Sequence, residues 1–185
     1  MERPSDILKE EHVVIEHLLG VLDGMAEHLD ERKPVAAKDL DAAFEVVVNF
    51  ADKCHHAKEE RALFPLLERF SPEEGKLLAH RLHGDHEAFR HLVKQMREAI
   101  PKVGARDPAA TKMLAKNART YTSLLREHIA QETEHLLPLM DRVIPEGEMS
   151  RLAKEFDRIE REEVGAGVHE KYEHTIRSLA EKYAH

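Results

Sequence analysis

Apolar residues recur along this chain at intervals of three and four, with polar and charged residues filling the positions between them. That spacing marks one face of an α-helix. Four long segments carry it. The first runs from about residue 5 to 30, with Leu8, His12, Ile15, Leu19, Leu22 and Leu29 on one stripe. The second, about 35 to 70, aligns Phe44, Val48, Ala51, His55, Glu59, Ala62 and Leu66. Ser71-Pro72-Glu73-Glu74 then reads as a helix start, a serine cap followed by proline at the first helical position and glutamate at the third. It opens a third segment to about residue 102, with Leu78, Leu82, His86, Phe89, Val93, Met96 and Ile100 inward. Asp107-Pro108 caps a fourth, to about residue 143, whose stripe is Leu114, Tyr121, Leu125, His128, Glu132 and Leu139. No segment alternates with the period of two that a strand needs. The pattern predicts an all-α fold, an up-down-up-down four-helix bundle over residues 1–145. After Ile144-Pro145-Glu146-Gly147, two shorter helices over 148–163 and 168–183, broken at Gly165-Ala166-Gly167, form an extension over 146–185 that packs on the bundle.

These stripes are not purely apolar, and their polar members repeat. Glu11-His12, followed by His17-Leu18, matches Asp85-His86, followed by His91-Leu92, at an offset of 74 residues. His55, Ala57, Glu59, Leu63, Pro65, Leu66 and Arg69 match His128, Ala130, Glu132, Leu136, Pro138, Leu139 and Arg142 at an offset of 73. The halves are two helix hairpins of one design, each with a histidine on its first helix and His-x-x-x-Glu on its second. Residues four apart share a helix face, with Cβ atoms about 5–6 Å apart. Six ionisable side chains, His12, His55, Glu59, His86, His128 and Glu132, therefore converge inside a core. Burying two carboxylates without partners costs several kcal/mol each. A pair of divalent or trivalent cations removes that cost. Imidazole with carboxylate suits iron, manganese or zinc rather than copper(I). Six protein ligands for two metals, with bridging carboxylates, leave room for a solvent bridge and an open position.

Composition narrows the setting. The chain has 185 residues, a formal net charge of -8 and 14 histidines, spread along its length rather than gathered in a tag-like tract. The acidic balance argues against nucleic acid or an anionic membrane surface as the main partner. No apolar run is long enough to span a bilayer, and the first residues lack the apolar core of a signal peptide. One cysteine, Cys54, has no partner within the chain for a disulfide. The expected location is the cytoplasm.

The run Cys54-His55-His56-Ala57-Lys58-Glu59-Glu60-Arg61-Ala62-Leu63-Phe64-Pro65, and the order His, His-x-x-x-Glu, His, His-x-x-x-Glu, resemble the hemerythrin-like family, or HHE cation-binding domains. The resemblance covers about residues 5 to 145. It implies a non-haem pair of iron ions, oxo- or hydroxo-bridged, with Glu59 and Glu132 bridging and His12, His55, His86 and His128 as terminal ligands. Zinc or manganese are the other metals the donors suit. The chain departs from the oxygen-carrying hemerythrins, which have His-x-x-x-His on the third helix and His-x-x-x-x-Asp on the fourth. Here Arg90 follows His86 by four, and His128 pairs with Glu132. The pattern is closer to bacterial and F-box-associated members.

Further residues extend the candidate list. His56, beside His55, is rotated about 100° off the stripe onto a flank shared with Asp52 and Glu60, which reads as a polar-face or supporting histidine; some family members use a ligand at this position. His83 lies one turn before His86 and is a further candidate ligand. Glu16 is a candidate for supporting His12. Cys54 and Tyr121 read first as packing residues. Pro65 and Pro138 each remove a helical hydrogen bond and kink their helices. His169-Glu170-Lys171-Tyr172-Glu173-His174 does not match the zinc-protease His-Glu-x-x-His, because its second histidine comes one residue late.

The leading functional expectation is a di-iron protein that binds or reacts with a small oxidant, dioxygen, peroxide or nitric oxide, for sensing, storage or detoxification, with electrons coming from the iron and a redox partner as a candidate further partner. One alternative is a peroxide- or nitric-oxide-consuming redox enzyme. Another is a helical interaction module whose metal, such as zinc, is structural.

Overall fold

The computed structural model describes residues 2–165 and 168–184. Among these there is no strand, and the four long segments are helical as the apolar spacing predicts. Helix α1 spans Pro4–Asp30, with proline and Asp6 in its first turn, where a missing N–H costs nothing and a negative charge favours the helix dipole. Helix α2 is a continuous helical run over 37–70. It begins as α-helix at Ala37–Val46, loosens to π-helix over Val47–His56 and again over Glu59–Leu63, and resumes as α-helix at Phe64–Phe70. Helix α3 is Glu74–Gly104. Helix α4 covers 108–143, with Pro108–Gln131 α-helical, Glu132–Leu136 π-helical and Leu137–Val143 α-helical again. Asp107 caps it as expected, accepting from the amides of Ala109 and Ala110 at 2.8 and 3.1 Å.

The predicted start of α3 needs correcting. Pro72 and Glu73 form a turn outside the helix. The N-cap is Glu73, and Ser71 instead lies two residues before it, its Oγ accepting from the amide of Gly75 at 3.1 Å. The corner is tight because a Cβ at Gly75 would lie 2.7 Å from the Leu67 carbonyl oxygen. The prolines at 65 and 138 also act differently from a simple kink. Each sits at the start of a resumed α-helix, just after a π-helical turn that opens at the repeat glutamate, Glu59 or Glu132. The wider turn accommodates the hydrogen bond that proline cannot make.

Both hairpin tops close alike. Arg32 and Arg106, 74 residues apart, take left-handed backbone conformations with φ of 59° and 62°. The following amides, of Lys33 and Asp107, reach back to the carbonyls of His28 and Lys102.

Helix α5, Glu146–Glu163, begins two residues before its expected start, and helix α6 is Val168–Tyr183. Gly165 takes φ +90° at the break between them. Ala166 and Gly167, the rest of the expected break, lie outside the described residues. Both helices pack on α1 and α2. Helix α6 seats its last turn against Gly24, where an added Cβ would fall 1.8 Å from the Tyr183 carbonyl oxygen.

The buried apolar residues form two clusters. One gathers Ile15, Leu22, Phe44, Met96, Leu114 and Tyr121 with Ile176 and Leu179 of α6. The other gathers Leu8, Leu63, Leu82, Leu136 and Met140 with Leu152 and Phe156 of α5. Each such side chain stabilises the fold by roughly 1.5–3 kcal/mol on burial. Along every bundle helix the histidines and glutamates of the repeat fall between these two clusters, so a polar belt crosses an otherwise dry interior.

Candidate metal centre

All six residues singled out by the repeat are buried, none more than 5% exposed. They meet in two adjoining groups. Glu59, His86, His128 and Glu132 offer ligand atoms within 4.8 Å of one another, and so do His12, His55 and Glu132. Glu132 belongs to both. Its Oε1 lies 2.7 Å from His128 Nε2 and its Oε2 lies 3.0 Å from His12 Nε2. Glu59 spans the same gap less closely, 3.3 Å from His86 Nε2 through Oε2 and 4.0 Å from His55 Nε2 through Oε1.

The four repeat histidines are oriented from outside. Glu11 accepts from His55 Nδ1 at 2.8 Å, and Asp85 from His128 Nδ1 at 3.2 Å. Glu60 accepts from His86 Nδ1 at 2.7 Å, and Thr133 Oγ1 lies 3.4 Å from His12 Nδ1. The pairs obey the repeat, since Glu11 and Asp85 are 74 apart and Glu60 and Thr133 are 73 apart. With Nδ1 occupied, Nε2 of each ring faces the centre. Apart from these contacts with one another, the inward Nε2 atoms of His12 and His55 and all four oxygens of Glu59 and Glu132 are buried with no further hydrogen-bond partner. His86 and His128 bring their Nε2 atoms to 3.1 Å of each other. Unsatisfied inward donor atoms on externally hydrogen-bonded imidazoles are what a metal-binding site requires.

A profile of the hemerythrin HHE cation-binding domain matches residues 3–140. The chain belongs to the hemerythrin HHE cation-binding domain family. It is also similar to the uncharacterized proteins Rv1995 of Mycobacterium tuberculosis and Mb2018 of Mycobacterium bovis, 26% identical over 165 residues, 88% of this chain and 62% of each relative. It resembles the uncharacterized hemerythrin-like protein C869.06c of Schizosaccharomyces pombe, 23% identical over 104 residues, 56% of this chain and 47% of that one. The chain thus spans less than two thirds of the length of these relatives.

Membership points to a metal-binding helical protein, and the chain's His and Glu clusters could hold a metal ion. His56 keeps the expected Asp52 neighbour, its Nδ1 3.5 Å from Asp52 Oδ1, but is turned further inward than a polar-face position. It is 2% exposed, stacks on His86 with ring centroids 3.9 Å apart, and leaves both ring nitrogens without a hydrogen-bond partner. It forms a third group with His86 and His128. The cause is the π-helix over Val47–His56. With roughly 80° of rotation per residue in place of 100°, two successive histidines can both face inward. The same unwinding moves the stripe beyond the site, so that Leu63 and Leu67 are fully buried while Leu66 is partly exposed.

His83 is more exposed than the belt but forms a group with Glu60 and the belt's His86, their ligand atoms within 4.8 Å of one another. Its side chain is 50% exposed and faces Glu60 at 3.5 Å. Glu16 is turned to the outside, where it pairs with Arg126 at 3.2 Å rather than with His12. Cys54 is buried with its Sγ 4.0 Å from Glu11, and burial pushes its thiol well up, to about 12. Tyr121 packs edge-on against Phe89.

Sequence reasoning missed the outer acids and Lys58. The Glu11–Asp85 match in the repeat was the signal for two of them. Lys58 is fully buried, and its ammonium joins Glu11 to Glu160 of α5, the latter at 2.7 Å. Burial would raise the Glu11 carboxyl, but the His55 hydrogen bond and the Lys58 charge hold it down at about 2. At the centre, burial and the facing Glu132 raise the Glu59 carboxyl. Glu132 is held well below the usual range despite its burial, because His128, His12 and His55 surround it. Burial, with His86 and His55 alongside, pushes His56 far down, leaving it the neutral imidazole that ligation needs.

Proposed function

We propose that this belt holds two iron ions and that the protein binds or reacts with a small oxidant, dioxygen, peroxide or nitric oxide, in sensing, storage or detoxification. The observation that carries the reading is the set of buried donor atoms on Glu59, Glu132, His12 and His55 that have no partners beyond the belt itself, between two apolar clusters. His56, His86 and His128 would hold one ion, His12 and His55 the other, and Glu59 and Glu132 both. Iron in such a donor set supplies electrons to a bound oxidant. The protein's share is to aim the histidines inward through Glu11, Asp85, Glu60 and Thr133, and to exclude water with the apolar layers on either side. His83, at the surface, is outside this set. Among the described residues no helix is long and apolar enough to cross a membrane. In this reading the chain works in the cytoplasm, with its one thiol buried and reduced.

The test is elemental analysis with an optical spectrum, in air and after reduction. About two irons per chain, with near-ultraviolet absorption that responds to reduction and to added oxidant, are expected. Zinc alone, or no bound metal, would overturn the reading in favour of a structural site or none.

A further inference from the structure

The two hairpins pack so that each bundle helix has two neighbours, and the seams between them are closed unequally. Helices α5 and α6 pack over α1 and α2. The α1–α4 seam is clasped by Arg126, which donates to Glu16 at 3.2 Å and Asp23 at 2.7 Å, with Thr122 donating to Asp23 at 2.6 Å. Across α3 and α4, Asn117 donates to Gln95 at 3.0 Å. The α2–α3 seam instead opens into a cavity of about 360 Å³.

The repeat explains the opening. Helix α2 carries Val48 where the other half carries Tyr121, and α3 carries Val93 where the other half carries Leu19, at the offsets of 73 and 74. These two smaller side chains widen the seam, although Phe89 stands where the other half has the smaller Ile15. His56 differs too, standing where the other half has Ile129. It lines the inner wall with Phe89 and Tyr121, its ring 2% exposed and its Nδ1 3.5 Å from Asp52 Oδ1.

The wall is mainly apolar, through Val47, Val48, Phe89 and Val93, and the rim is charged. Arg90 neutralises Asp52 at the rim, at 2.8 Å. That leaves Lys94 and Arg97 against the single acid Glu98, a locally basic mouth on a chain of formal net charge -8. The volume falls within the about 300–1,000 Å³ typical of small-molecule sites, which pair apolar walls with a few placed polar groups.

We propose that this cavity binds a small organic anion, a carboxylate with an apolar body, its body against Phe89 and Val93 beside His56 and its charge at Lys94 and Arg97. The inference goes beyond the metal reading, because recognition uses the cavity's own walls and not the identity of any metal.

The experiment titrates the chain as isolated with benzoate, benzamide and benzylamine, three bodies of one shape and different charge, by calorimetry and ligand-observed NMR. Benzoate is expected to bind about tenfold more tightly than the other two. Val93→Trp, which fills the cavity, should abolish binding with metal content and unfolding midpoint unchanged. Should Val93→Trp fail to fold, Val48→Phe fills the same space from the opposite wall and the same loss is expected. Lys94→Ala with Arg97→Ala should remove the preference for the anion while benzamide binding persists. Equal binding of the three compounds overturns the proposal. So does benzoate binding that survives a folded cavity-filling variant but is lost with the metal in Glu132→Gln, since that places the carboxylate on the metal.

Discussion

Glu11 and His55 are joined at 2.8 Å across the first hairpin, and the contact is repeated at 3.2 Å by Asp85 and His128 across the second. Such outer carboxylates fix the ring orientation and raise the basicity of a ligating imidazole. Glu11→Gln is expected to weaken metal binding about 10–100-fold, measured by competition with a chelator. Asp85→Asn should cost less, because Asp85 is 39% exposed and its contact is longer. Equal affinities in parent and both variants would show that the rings need no outer support.

Lys58 is a buried ammonium between two carboxylates, Glu11 and Glu160. Lys58→Met leaves Glu11 buried without its cation. Breaking a buried pair in this way costs about 3–5 kcal/mol, to be read from urea unfolding. Glu160→Gln should cost less, since that carboxylate is 37% exposed and water can replace part of the contact.

Adjacent glutamates of α2 should separate cleanly. Glu59 offers two unpartnered oxygens to the centre, whereas Glu60 reaches it only through His86 Nδ1. Glu59→Ala is expected to lose most of the bound metal, as is Glu132→Ala. Glu60→Ala should retain the metal at saturation with an affinity lowered by about tenfold or more. Metal counted per chain after gel filtration decides it, and full loading of Glu59→Ala would contradict the assignment.

At the far end of the bundle, Asp39 accepts from the Tyr183 hydroxyl at 2.8 Å and from Lys182 at 3.2 Å. Burial opposes its charge, but these two bonds hold its carboxyl below the usual range. A carboxyl lowered in the folded state adds stability above its unfolded value, about 3.9, and loses it as the pH falls through the folded value. Asp39→Asn should therefore cost about 1–2 kcal/mol at pH near 7, and the difference from the parent should shrink in unfolding measured below pH of about 3.

Arg32 and Arg106 hold left-handed turns that cost a residue with a Cβ roughly 1–2 kcal/mol. Both are exposed. Arg32→Gly and Arg106→Gly are each expected to stabilise the fold by up to about 1 kcal/mol, the relief offset in part by a freer unfolded chain. A higher unfolding midpoint in each variant checks this.

The helices and the six repeat residues were legible because each depends on spacing within one helix. The stripe through Leu8, His12 and Ile15 needs no tertiary information, and a pair such as His128 and Glu132 needs only a regular turn between its members. The position of His56 was not legible, because a π-helical stretch changes the rotation of every residue after it and leaves no mark in composition. The end of α3 was read two residues short, at about 102 rather than 104, since arginine holds the left-handed position that glycine usually signals. Lys58 and Glu160 meet only when α5 folds back over α2, a contact between residues 102 positions apart. The cavity depends on volumes compared across two helices, Val48 against Tyr121 and Val93 against Leu19, which become comparable only once the repeat is superposed on a shared axis.

Each hairpin carries part of the donor set, one histidine from its first helix and a histidine–glutamate pair from its second, with His56 added in the first hairpin. Neither half can assemble the belt alone. A backbone cut in the turn between α3 and α4 would break a hairpin and strand His128 and Glu132, whereas a cut in the turn between α2 and α3 leaves two whole arms. Complementation of those two arms, mixed as separate peptides, would then be a bimolecular reaction in which docking and completion of the belt are one event.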